Sequence, residues 1–177
     1  MDNPEKTKRM LLIVDPQIDF INGSLPVPGA EKAMDSLAAY VKEYGGNYDM
    51  ICVTCDRHSM RHCSFAEYGG AWPSHCIESS VGSAIWPPLM TSLLKYSVYT
   101  HILYKGEDTT KDEYSIFRNP KGATILDSII KNNQIDDIDI CGLAGDVCVE
   151  STLNDGLRRY PNITFNILQD FTAYICG

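Results

Sequence analysis

Five short apolar runs, spaced along the chain with helical or loop-forming stretches between them, constrain this sequence more than any other feature. They are MLLIV (Met10 to Val14), MICVT (Met50 to Thr54), Tyr99 to Tyr104, Ile138 to Leu143 and Ile163 to Leu168. Runs without polar alternation are typical of strands buried on both faces, as in a parallel sheet covered by helices. Between them, Ala30, Ala33, Met34, Leu37, Ala38 and Val41 share one helical face, which Gly45 and Gly46 terminate. A second helix spans Ala123 to Lys131 with Leu126, Ile129 and Ile130 inward, and Val149, Leu153 and Leu157 mark a third. Parallel neighbours need crossovers, which are right-handed. The pattern predicts a three-layer α/β/α fold with a central parallel sheet, as one domain over residues 1–177.

The strand ends carry chemistry. Asp15 follows the first run, Asp56 and His58 the second, Lys105 the third and Cys148 the fourth. Open parallel sheets bind ligands in the crevice beyond their carboxyl ends, so these groups are expected to converge. Asp170 is expected as a structural residue at the end of the fifth strand.

A net charge of −8 disfavours nucleic acid and acidic lipid, which require a basic footprint, and suits a small neutral ligand. The charged start MDNPEKTKRM leads into only a short apolar run, so neither a leader nor a membrane span is expected there, and the predicted location is cytoplasmic. Seven cysteines without regular spacing are expected as free thiols, mostly in packing roles. Cys52 and Cys55 form a Cys-x-x-Cys spacing, but on a strand they point to opposite faces.

GLAGDVCVE places two glycines and Ala144 ahead of a cysteine at a helix start. Such a position favours thiolate and offers free N–H groups to an oxyanion, which makes Cys148 a nucleophile candidate. A carboxylate can take the thiol proton, and a lysine beside both can hold the carboxylate ionised. Asp15, Lys105 and Cys148 are therefore expected to form a triad. Asp56, His58 and His75 form a second set, since two imidazoles and a carboxylate suit one divalent transition metal; zinc, manganese and iron all fit. His62 or Glu67 could add a ligand, while His101, in mid-strand, is expected to be structural. The irregular stretch from Asp56 to about Pro88 is long for a compact domain, and such loops tend to be functional.

LLIVDPQIDFINGSLPVPGA, the D-x-H of DRHSMRHCSFAEYGGAWPSHC, YKGEDTTKDEYSIF and GLAGDVCVE, in this order, resemble the nicotinamidases of the isochorismatase-like hydrolase superfamily. The resemblance implies hydrolysis of nicotinamide to nicotinate and ammonia, a step of NAD salvage, by Asp15, Lys105 and Cys148, with metal ligands at Asp56, His58 and His75. It also implies a cis peptide before Ala144, an oxyanion hole from the Ala144 and Cys148 amides, and a pyridine ring flanked by Phe20 and Trp72. Pyrazinamide, with one more ring nitrogen, is an expected second substrate. A homo-oligomer is among the assemblies this allows.

Two departures stand out. Family members often carry Thr where this chain has Gly145, which predicts a looser turn, and they often continue into another helix where this chain reaches Gly177. The rival readings are a hydrolase of a carbamoyl or ureido compound, whose family members generally lack the metal trio, and a non-catalytic metal-binding or redox protein. A vinyl-ether-cleaving isochorismatase normally lacks the cysteine.

Overall fold

The computed structural model describes residues 7–176, so the first six residues of the charged start, and Gly177, lie outside it. Strands β1 (Arg9–Val14), β2 (Met50–Asp56), β3 (Thr100–Lys105), β4 (Asp137–Gly142) and β5 (Thr164–Thr172) form one parallel sheet in the order β3-β2-β1-β4-β5. Its helices are α1 (Ile18–Ile21), α2 (Ala30–Tyr44), α3 (Pro87–Leu94), α4 (Pro120–Asn132) and α5 (Glu150–Arg159). Among the described residues no helix is long and apolar enough to cross a membrane.

Strand periodicity divides the interior in two. Leu11 and Ile13 of β1 face a core closed by Ala33, Met34, Leu37 and Val41 of α2 and Leu89 and Leu93 of α3. Met10, Leu12 and Val14 face the opposite core, with Leu126, Ile129 and Ile130 of α4. This is the three-layer arrangement expected from the runs. Cys55 lies in the first core and Cys52 in the second, as the strand geometry requires.

Several expectations need correction. Helix α3 starts where the irregular stretch is expected to end and continues over residues given no element in the sequence pattern; proline is well suited to a first helical turn, whose N–H groups lack partners anyway. Leu157 is 47% exposed instead of inward. The buried positions of α5 are the small residues Thr152 and Gly156, and a side chain at 156 would meet the Phe165 and Phe117 rings. Strand β5 runs on to Thr172, so Asp170 lies exposed within it and not at its end.

Candidate active site

The β2–β3 register pairs Asp56 with Lys105, the last residues of their strands. Lys105 is fully buried, and its Nζ lies 2.7 Å from Asp15 Oδ2, 2.7 Å from Asp56 Oδ1 and 3.6 Å from Cys148 Sγ. Asp15 has a left-handed backbone, φ 48°, directly after β1. For a non-glycine residue that conformation is sparsely populated and stores strain. It is held by a 3.0 Å bond from its N–H to the Thr54 carbonyl and a 2.7 Å bond from Thr54 Oγ1 to its Oδ1. Ligand-capable atoms of Asp15, Asp56 and Cys148 all lie within 4.8 Å of one another. The structure thus brings the three expected triad members together.

Burial dominates the electrostatics. It pushes the Asp15 carboxyl up, against the opposing pull of Lys105. Burial, helped by the charges of Asp15 and Asp56 and opposed by Lys105, raises the Cys148 thiol well above its ordinary range. The upward shift favours the neutral thiol at Cys148, against the pull toward thiolate expected at a helix start. Cys148 sits in a π-helical turn, Gly145–Val149, ahead of α5, and two carboxylates oppose its ionisation. Asp56 behaves oppositely: burial acts to raise it, but Lys105 and His58 together hold it well below the usual carboxylate range.

Asp56, His58 and His75 are all buried, with ligand atoms within 4.8 Å of one another. Because a carbonyl can only accept, His58 Nδ1–H donates to the Gly106 carbonyl at 2.7 Å and His75 Nδ1–H to the Pro73 carbonyl at 2.8 Å. Both imidazoles are left to offer Nε2, which is how backbone acceptors orient ligating histidines. Burial also lowers the His75 pKa, keeping that ring neutral. The donor set therefore fits a divalent transition metal. His62 lies beside this trio and not within it. Its ring stacks on His58 at 4.1 Å, its Nδ1 accepts the Ser64 N–H, and it clusters with Cys63 and Asp112. Glu67 is exposed on the turn Ala66–Tyr68, and His101 is half-buried in β3 opposite Cys52.

The loop after β1 does more than supply Asp15. The Gln17 side chain clamps Asp56 from both sides, with Oε1 accepting its N–H and Nε2 donating to its carbonyl, each at 2.8 Å. Asp19 Oδ2 accepts the Cys76 N–H at 2.7 Å, anchoring the residue after His75. Phe20 packs on His75 at 5.4 Å. The D-x-Q-x-D-F spacing was the available signal for Gln17 and Asp19; Thr54, Glu113 and Tyr114 had none.

Asp56, His58 and His75 line a cavity of about 470 Å³, its open mouth included, with Phe20, Trp72, Tyr114 and Ile175 as walls and Ala144 and Cys148 at one side. Trp72 Nε1–H donates to the Tyr114 hydroxyl at 3.1 Å. The Leu143–Ala144 peptide is cis. The turn at Gly145 is not loose: the Tyr174 ring packs where a side chain at 145 would stand, and Gly145 N–H donates to the Ala173 carbonyl at 2.7 Å. Asp146 in turn accepts the N–H groups of Ile175 and Cys176.

Residues 9–165 match the isochorismatase domain family. The nicotinamidase/pyrazinamidase of Mycobacterium tuberculosis is 31% identical over 170 residues, covering 93% of this chain and 86% of that protein. Of solved structures, PnC1 from L. infantum in complex with nicotinate has a TM-score of 0.83 at 31% identity, over 96% of this chain and 82% of that one. The pyrazinamidase of Pyrococcus horikoshii in complex with zinc has a TM-score of 0.80 at 29% identity, over 95% and 87%. Similarity of sequence and similarity of fold extend over the same sheet and the crevice at its carboxyl edge, and the chain belongs to the isochorismatase-domain family, with nicotinamidases among its relatives.

Proposed function

We propose that this protein hydrolyses nicotinamide to nicotinate and ammonia through a thioester on Cys148. The observation that carries the reading is Lys105, bonded to both Asp15 and Asp56 and 3.6 Å from the Cys148 sulfur at the wall of an aromatic cavity. The nicotinamidase relatives point to the same substrate.

The Asp15 carboxylate takes the thiol proton as Sγ attacks the carboxamide carbon, and the carbonyl electrons move onto oxygen. The amides of Ala144 and Cys148 are the assigned donors to that oxyanion. Collapse breaks the C–N bond, and ammonia leaves with the proton from Asp15. Water then adds to the thioester, giving its proton to Asp15; nicotinate departs, and the proton returns to sulfur. A carboxyl whose pKa is raised by burial suits this exchange, because a more basic carboxylate takes up the thiol proton more readily. Lys105 stays an ammonium throughout, well above its ordinary pKa between two carboxylates despite its burial.

Phe20 and Trp72 are assigned to flank the pyridine ring. Asp56, His58 and His75 would hold one divalent ion, zinc first, with manganese and iron fitting the same donors; when bound, such an ion supplies Lewis acidity toward a ring nitrogen. Pyrazinamide should enter the same cavity. We place the enzyme in the cytoplasm, since its cysteines, all free among the described residues, suit a reducing compartment.

The deciding experiment is ammonia release from nicotinamide against a panel of carbamoyl, ureido and other small amides, with and without chelator. Preferred turnover of nicotinamide, lost on chelation and restored by zinc, is expected. Hydrolysis of ureido compounds without nicotinamide turnover overturns the reading, and tight metal binding with no amide turnover favours a non-catalytic protein.

A further inference from the structure

Glu113 is a buried carboxylate, 3% exposed, that the mechanism above does not use. Its Oε2 accepts the Gly106 N–H at 2.8 Å and Asn119 Nδ2–H at 2.9 Å, while among the described residues Oε1 is buried without a hydrogen bond and pairs with the Lys111 ammonium at 3.5 Å. A carboxylate is costly to bury, so the question is what its two bonds secure.

The answer lies on the other side of Gly106. That residue follows Lys105 and adopts φ 73°, and its carbonyl is the group that receives His58 Nδ1–H. A side chain at 106 would come within 2.4 Å of the His58 ring, so the backbone approaches the imidazole as closely as glycine alone allows. Glycine is also the residue whose backbone has most freedom to turn that carbonyl away. Glu113 removes this freedom by gripping the N–H of the same residue, and Asn119 steadies the grip: its Oδ1 caps α4 through the Gly122 N–H at 2.8 Å.

We propose that Glu113 is a positioning residue that locks Gly106, so that the Gly106 carbonyl holds His58 in the tautomer presenting Nε2 to the metal. The residue borders the cavity, but the role assigned to it runs through the Gly106 backbone and not through a contact with the metal. This rests on reading Asp56, His58 and His75 as the metal site, and the experiment separates the two claims.

Zinc affinity is measured by chelator competition on metal-stripped wild type, His75→Ala, Glu113→Ala and Glu113→Gln, with melting of each metal-free protein in parallel. Loss of an outer group that orients a ligand weakens metal binding by roughly 10–100-fold, so Glu113→Ala is expected to bind zinc about tenfold more weakly than wild type. Glutamine keeps an oxygen for Gly106 and should stay within about threefold of wild type by the same measure. Wild-type affinity in Glu113→Ala overturns the proposal even if that variant melts lower, because the role would then be structural alone. A Glu113→Gln as weak as Glu113→Ala also overturns it, in favour of a charge effect. If the wild type takes up zinc no better than His75→Ala, the metal reading itself fails and this inference with it. Should Glu113→Ala not fold, imidazole ¹⁵N spectra of metal-free wild type and Glu113→Gln decide: a protonated, hydrogen-bonded Nδ1 on His58 is expected in both, and a His58 that carries its proton on Nε2 alone in either overturns the proposal.

Discussion

The ammonium of Lys105 lies 2.7 Å from Asp56 Oδ1, and through this one contact the candidate triad and the candidate metal ligands become a single charge network. The strand register imposes it, since Asp56 and Lys105 are paired residues of β2 and β3. Asp56 is thus shared: one oxygen faces Lys105 and the other faces His58 Nε2 at 3.6 Å.

Removing the shared cation should destabilise the fold. Lys105→Met leaves two buried carboxylates without their partner, and breaking a buried pair costs about 3 kcal/mol or more. The effect should depend on pH. In the wild type the depressed Asp56 pKa contributes stability that is present above the unfolded carboxylate value, about 4, and is lost as pH falls below it. Urea denaturation should therefore show the largest gap between wild type and variant near pH 7 and a shrinking gap below about pH 4. An equal gap at both pH values would contradict the network.

Cys148→Ala should abolish turnover with circular dichroism and melting temperature retained, and surviving turnover would remove Cys148 as nucleophile. The resting protonation state is testable separately. With the thiol raised well above its ordinary value by burial and neighbouring carboxylates, thiolate grows only as pH climbs past the usual thiol range. In metal-stripped protein, iodoacetamide labelling of the Cys148 peptide, followed by mass spectrometry, should be slow at pH 7 and still rising at pH 9. A plateau already reached at pH 7 would mean a resting thiolate.

Gly145 and Tyr174 should behave as a coupled pair, because the ring occupies the space of the absent side chain. Gly145→Thr alone should clash, and Tyr174→Gly alone should leave a void beside the nucleophile turn; each is expected to lower kcat. The double variant should recover most of the loss, with a coupling energy of about 1 kcal/mol or more in the stability cycle. Additive effects would show that the two positions do not share that space.

Trp72→Ala should raise KM about tenfold while changing kcat less, since a flanking ring contributes binding that is similar in the ground and transition states. Tyr114→Phe, which removes the partner of the indole N–H, should do the same more weakly. A fall in kcat at unchanged KM would instead place the indole in the chemical step.

Much of the fold was legible because burial on both faces of a parallel strand leaves uninterrupted apolar runs, as in Met10 to Val14, and because α2 and α4 bury the faces their spacing marked. Helix α3, which opens on two prolines, was missed, and the inward face of α5 was misread where small residues stood in for the expected signals. The expected triad and metal trio do meet at the strand ends. Glu113 was not legible as a site residue, since a buried polar side chain has no periodicity; Gln17 is marked by the D-x-Q-x-D-F spacing, but its partner Asp56 lies 39 positions away.

The sequence by itself determined which residues end the strands, because strand length and hydrophobicity are local properties, and with them which groups face the crevice. Only the tertiary structure decided how those groups share charge and protons. Asp56 serves two sets through strand register, the Cys148 thiol is pushed up by burial and two carboxylates against one lysine, and His58 is oriented by a carbonyl whose residue is bonded by Glu113. Ionisation and tautomer depend on desolvation and on neighbours brought together across the fold, which a linear pattern does not encode.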